Sequence, residues 1–222
     1  MAVKVMEKAP VERTAEAFVP LENGDHLDAA EFLRRFEAMP EVKKAELVQG
    51  IVHMASPVRL DLHAEPDNLI QMWLGTYAAF RPEARCATNA TVRLGPEDVP
   101  QPDAVLFLDA VHGGKASPDA QGYLAGPPEL VVEIAASSVS RDVREKLASY
   151  RRAGVREYLL WRVMDGEIDW FVLEGNEYRL LPMEDGLLRS CVFPGLVLPV
   201  AAALAGDRAA VLEALRGSRE AE

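Results

Sequence analysis

Pro102-Asp103-Ala104-Val105-Leu106-Phe107-Leu108 and Leu130-Val131-Val132-Glu133-Ile134-Ala135-Ala136 are two apolar runs of strand length, each carrying one acid. Asp103 opens the first run and Glu133 sits inside the second. A carboxylate within a strand that is apolar on both faces costs several kcal/mol unless something pairs with it. A divalent metal ion is one such partner, because hard cations are held by convergent carboxylates. Beyond Glu133, a stretch with helical periodicity carries Lys146. Two acids and a lysine on a strand–strand–helix frame point to metal-dependent cleavage of phosphodiesters.

Each of these residues also has a plainer reading. Asp103 after Pro102 can be a turn residue that begins a strand, and Glu133 can be half of a buried ion pair with a nearby arginine. Lys146 borders the buried stripe Val143, Leu147 and Tyr150, on the flank shared with Asp142, Ser149 and Ala153. From there it can reach back over the sheet, or pair with Asp142 at i,i+4 on a solvated face. Glu46 either adds a carboxylate to the metal site or is a solvated charge at a strand end. His63 has no second histidine at metal-ligand spacing and reads as structural. Ser137-Ser138 lack a Gly-x-Ser-x-Gly elbow and read as a helix cap. Tyr158, Trp161, Trp170 and Phe171 alternate as packing residues do in strands. No phosphate-cradling loop or dinucleotide fingerprint is present.

The rest of the pattern frames these runs. Residues 1–24, with Pro10, Pro20 and Gly24, read as an N-terminal arm, and residues 25–222 as a single domain. Asp28 caps an expected helix reaching about Met39, followed by two short strands over Ala45–Met54 bent at Gln49-Gly50. Pro66 opens a core helix bearing Leu69, Ile70, Trp73, Leu74, Tyr77 and Phe80. A strand is expected over Ala84–Leu94 and a loop over Val111–Pro128. The Lys146 helix ends at Gly154. Tyr158–Val163 and Ile168–Leu173 form a hairpin around Asp165-Gly166, a last strand pair spans Tyr178–Val192, and a short helix spans Ala209–Leu215. The fold class is α/β or α+β, with one mixed central sheet, flanking helices and a β-hairpin extension.

Composition narrows the function. With 49% apolar and 27% charged residues over 222 positions, the chain has the make-up of an ordinary globular protein. No apolar run approaches the roughly 20 residues of a membrane span, so no membrane partner is expected. The opening residues lack the apolar segment of a secretion signal. Cys86 and Cys191 are too few for a disulfide framework or zinc site, and a reducing, cytoplasmic location is expected. The net charge of −11 opposes nonspecific coating of nucleic acid but not a local basic groove. Residues 141–156 carry a net +4, and Arg144, Arg151 and Arg152 there either contact a nucleic-acid backbone or form a solvated face.

The segment Pro127-Pro128-Glu129-Leu130-Val131-Val132-Glu133-Ile134, followed by Ser138, Asp142, Lys146-Leu147, Tyr150, Ala153-Gly154-Val155 and Glu157-Tyr158, resembles the Uma-two family of proposed endonucleases, within the PD-(D/E)XK restriction-endonuclease-like superfamily. Glu46-Leu47-Val48-Gln49-Gly50 resembles that family's Glu-Leu-Ile-Asp-Gly strand opening, with Ser56-Pro57 and His63 as its continuation. Pro102-Asp103 matches the acidic motif, and the likeness spans roughly residues 27 to 200.

The resemblance implies a restriction-endonuclease-like core using Mg²⁺ or Mn²⁺. Asp103, Glu133 and the Ile134 carbonyl are the implied metal ligands, Glu46 the accessory acid and Lys146 the catalytic lysine. The superfamily lysine normally stands two residues after the second acid, where this chain has Ala135. The following helix then supplies it. Ala136 and Arg162 also depart from the family's Ser-Pro-Ser and Val-Asp. The expected substrate is nucleic acid, with DNA favoured, and relatives suggest a homodimer. Two alternatives stand beside this reading: a binding module that keeps the fold without turnover, and a structural dimer assembled through the hairpin strands.

Overall fold

The computed structural model describes residues 19–55, 57–135 and 141–220. Most of the expected arm lies outside these residues, and so do Ser56, Ala136 and the expected cap at Ser137-Ser138. Where the described chain begins, Leu21 is already buried. Asp28 caps α1 (Ala29–Glu37) by accepting the Glu31 amide at 2.8 Å. A hairpin follows, β1 (Ala45–Val48) and β2 (Ile51–Met54), closed by Gln49 and Gly50, both at positive φ. Leu21, Phe32, Leu33, Leu47, Val52 and Val99 form the apolar core of this N-terminal unit.

A π-helical turn (Leu60–Ala64) leads into α2 (Glu65–Ala79), and Pro66 occupies the first turn, where its missing amide costs nothing. Four of the strands after α2, β3 (Ala84–Thr88), β4 (Val92–Arg93), β5 (Ala104–Leu108) and β6 (Ser117–Pro118), precede β7 (Leu124–Ala125) and β8 (Leu130–Ala135). The chain continues through α3 (Arg141–Ala153), β9 (Glu157–Arg162), β10 (Glu167–Glu174) and β11 (Glu177–Leu180). It ends with β12 (Leu187–Arg189), β13 (Val197–Pro199), α4 (Val200–Leu204) and α5 (Arg208–Glu220).

The central sheet has six strands in the order β11-β10-β9-β8-β5-β3. β8 and β9 run parallel, joined through α3, while the other neighbours are antiparallel. The two-residue period of the strands then sorts the side chains. Leu130, Val132 and Ile134 of β8 pack with Leu69, Trp73 and Tyr77 of α2 and Val211 and Leu215 of α5. Val131 faces the other way, with Val105, Phe107, Tyr158 and Tyr150 of α3. Glu133 shares the parity of Val131 and therefore points toward α3. Trp73 and Trp170 meet edge-on at 5.7 Å, and Trp73 donates its indole N–H to the Val197 carbonyl at 2.9 Å, tying β13 to α2.

Several expected elements are corrected. The run Ala84–Leu94 is not one strand: Asn89, at positive φ, donates its amide to the Asp103 carbonyl and turns the chain away. β4 then joins β6 and β7, two short strands inside the expected loop region, in a small separate sheet. The final strand pair is also different. The ladder with β10 ends at Leu181, the next residue, Pro182, has no amide to donate, and β12 pairs instead with β13. Phe80 lies past the end of α2 and is exposed, and the C-terminal helix begins at Arg208 and reaches Glu220.

Trp170→Ala should cost about 3–5 kcal/mol in urea unfolding, because Trp170 is fully buried against Trp73. Val111→Ala, at a position 87% exposed, should stay within about 0.5 kcal/mol.

Candidate active site

Strand parity and helix spacing bring four of the expected residues together. Glu133 points from β8 toward α3, where Lys146 and Tyr150 lie one turn apart on a single face. Tyr150 donates its hydroxyl to Glu133 Oε1 at 2.6 Å, and Lys146 Nζ lies 3.0 and 3.1 Å from the two Glu133 oxygens. The same ammonium is 2.8 Å from Oε1 of Glu46 on β1. That Glu46 oxygen also accepts the Gln101 amide at 2.7 Å. Glu46 is a buried charge, and the partner of Glu133 is a lysine and a tyrosine, where an arginine was the plainer expectation.

Asp103 stands just before β5, where its ladder with β8 ends. Its Oδ2 accepts the Ile134 amide at 2.8 Å, which fixes the first acid beside the strand that carries the second. Its Oδ1 lies 3.0 Å from Lys44 Nζ and 3.3 Å from His63 Nε2. Asp103 does stand at the start of a strand, as its plainer reading has it, but its side chain is only 3% exposed and is paired with Lys44 and His63.

The sequence pattern does not single out Lys44 or Tyr150 for the site, and it gives His63 a structural reading. The parity of Lys44 with Glu46 was a usable signal. So was the i,i+4 spacing of Tyr150 from Lys146, although Tyr150 is part of the buried stripe as well. His63 sits on the π-helical turn, which follows neither a 3.6-residue nor a two-residue period.

The charges divide unequally. Burial pushes Asp103 upward, but the hydrogen bond from His63, the charge of Lys44 and the Ile134 amide outweigh it and hold the carboxyl at about 2. The hydrogen bond to Asp103 raises His63 above the usual histidine value, against the opposing effect of burial. Glu133 is pushed up, chiefly by burial, with Asp103 and Glu46 adding to the effect and Lys146 resisting it. Burial works against the Lys146 ammonium, yet Glu133 and Glu46 raise its pKa above the ordinary lysine value. Asp103 is therefore firmly ionised, while burial brings Glu133 closer to protonation than an ordinary glutamate.

Among the described residues no three His, Cys, Asp or Glu side chains gather into a metal-holding group. The available oxygen donors are the Asp103 and Glu133 carboxylates and the Ile134 carbonyl. The amide and carbonyl of one strand residue face the same edge, so the Ile134 carbonyl faces β5 with its amide. This set is short for Ca²⁺ but compatible with Mg²⁺, which takes one or two carboxylates and completes its shell with water and phosphate.

The arginines of α3 are placed elsewhere. Arg151 pairs with Glu177 at 2.7 Å and Arg152 with Asp98 at 2.6 Å, whereas Arg144 is exposed. Arg162 is held by Asp165, Asp169 and Glu167. Among the described residues no helix is long and apolar enough to cross a membrane.

The family model Uma2, described as "Putative restriction endonuclease", matches residues 29–201. A crystal structure of a "putative nuclease belonging to DUF820" from Anabaena variabilis ATCC 29413 is similar, with a TM-score of 0.62 and 15% identity. The match covers 78% of this chain and 97% of that one, and at this identity it shows a shared fold. No curated protein matches the chain.

The depressed Asp103 carboxyl gives a pH signature. Its folded value of about 2 lies below the ordinary 3.8, so the folded state resists protonation and gains stability above about pH 4. That contribution, on the order of 2 kcal/mol, is lost as pH falls toward 2. Denaturant unfolding at pH 6 and pH 3 should show a larger acid-induced loss in the wild type than in Asp103→Asn.

Proposed function

Because the chain belongs to the Uma2 family, we propose that it hydrolyses phosphodiester bonds of nucleic acid, DNA in the first instance, with Mg²⁺ or Mn²⁺. The observation that carries this reading is the convergence of Asp103, Glu133 and Lys146. Asp103, just before β5, accepts the Ile134 amide of β8 at 2.8 Å, and Glu133 of the same strand meets Lys146 of α3 at 3.0 and 3.1 Å.

Asp103, Glu133 and the Ile134 carbonyl are the groups that would hold the ion. When bound, such an ion polarises a phosphoryl oxygen and lowers the pKa of a coordinated water. The remaining chemistry belongs to the chain. Lys44 and His63 keep Asp103 ionised at neutral pH, ready to act as a ligand. Tyr150 fixes the Glu133 carboxylate by its hydroxyl. Glu46, itself pinned by the Gln101 amide, holds the Lys146 ammonium in place. Lys146 is then a preoriented positive charge for the negative charge that develops on a scissile phosphate.

One observation favours a second reading, a member that binds without turnover. Asp103, Glu133 and Glu46 are each already paired with a cation, and Ala135 occupies the superfamily's usual lysine position. In that case binding of nucleic acid would be indifferent to Asp103→Asn, and no cleavage would accompany it.

Oligonucleotide cleavage with Mg²⁺ or Mn²⁺ should fall about 100-fold or more in Asp103→Asn, in Glu133→Gln and in Lys146→Met, with circular dichroism confirming the fold. Calorimetric titration of Mn²⁺ should show binding by the wild type that Glu133→Gln abolishes. Full activity in chelator would sink the metal-dependent reading.

A further inference from the structure

A cleft of about 720 Å³ opens over the acid–lysine cluster. Lys44, Glu46, His63 and Lys146 line its base, and Asp103 and Glu133 lie one hydrogen bond beneath them. Val48, Met54, Val58, Leu62 and Met164 add apolar lining, and Arg59 a further cation. We infer that this cleft admits single-stranded nucleic acid and excludes an intact duplex, an inference that rests on the nuclease reading and names its substrate class.

Depth is the first reason. The Asp103 and Glu133 side chains are only 3% and 9% exposed, so a reacting phosphate has to descend into the cleft. A space of this size lies within the range of about 300–1,000 Å³ filled by small ligands. It suits a nucleotide, and a phosphate fixed on the surface of a stiff paired helix is less free to descend to the buried acids than one on a flexible strand.

The lining gives the second reason. Apolar side chains in the lining and cations over the buried acids match a nucleotide whose base or sugar is out of its stack and whose phosphate points down. Val58 and Met164 line the cleft yet are 65% and 66% exposed, and an unstacked base would cover them. A duplex presents phosphates and groove edges at its surface and leaves such apolar groups unmatched.

Charge supplies the third. The chain carries a net −11, and Arg151 and Arg152 are committed to Glu177 and Asp98. A duplex carries about one charge per 1.7 Å of axis, against roughly one per 3.4 Å for a single strand. The denser polyanion is repelled more strongly, and a few cations at the base of a cleft are better matched to the sparser one.

The test is fluorescence anisotropy of the Asp103→Asn protein with a labelled 12-nucleotide single-stranded DNA and with the same sequence as duplex. The single strand should bind at least tenfold tighter. Val58→Glu and Met164→Glu, both at exposed positions, should each weaken that binding at least tenfold, with circular dichroism checking that the fold survives. Equal or tighter binding of the duplex overturns the inference, as does binding to neither probe or indifference to both glutamates. Cleavage by the wild type is read separately. Protein that binds the single strand yet cuts nothing sinks the nuclease reading and leaves the cleft's choice standing. Protein that cuts duplex as fast as single strand does the reverse.

Discussion

The Lys146 ammonium, held between Glu133 and Glu46, connects three parts of the molecule that are distant in sequence. It links the N-terminal hairpin, the central strand β8 and the helix α3 through contacts of 2.8–3.1 Å. Such an arrangement is costly, because all three ions leave water and one cation cannot neutralise two carboxylates. Burial answers the imbalance by raising Glu133 toward its neutral form, and Tyr150 contributes a hydroxyl to the same carboxylate. Apolar residues of similar volume would pack here at lower cost. A cluster that breaks the rules of a stable core while satisfying its hydrogen bonds is the signature expected of a functional site.

The hydrophobic surroundings explain why the acids were visible in the sequence. Asp103 and Glu133 interrupt runs that are buried on both faces, and an uncompensated charge there has few physical explanations. Lys146 was harder. Helical periodicity placed it at the border of the buried stripe, but the choice between the sheet and a solvated pairing depended on where β1 lies. That position follows from the packing of Leu47 and Val52 onto Phe32 and Leu33, a long-range fact with no local trace. The strand boundaries that went astray have local causes. Asn89 adopts a left-handed conformation that its residue type permits without requiring, and Pro182 ends one ladder so that β12 is free to find β13.

The basic run between Arg141 and Arg156 shows the limit of counting charge along a chain. Its net +4 is real in sequence, yet Arg151 and Arg152 spend their charge on Glu177 and on the buried Asp98. Arg162 likewise sits among three acids of its own hairpin. The cations that reach the cleft are Lys44, Lys146 and Arg59, and two of these lie outside the run. Local electrostatics at the site is therefore a product of folding and is poorly estimated from linear density.

The π-helical turn at Leu60–Ala64 has an effect on how this chain can vary. His63 meets Asp103 because this turn is wound more widely than the helix that follows it. Delete one residue, and the natural repair is an ordinary α-helical turn, which would rotate the imidazole by about 100° away from the carboxylate. Substitutions along the segment leave that rotation untouched, whereas a change of length does not. The spacing between Pro57 and Pro66 is thus under stricter geometric control than the identity of most residues between them, and insertions or deletions there would be the changes a working site tolerates least.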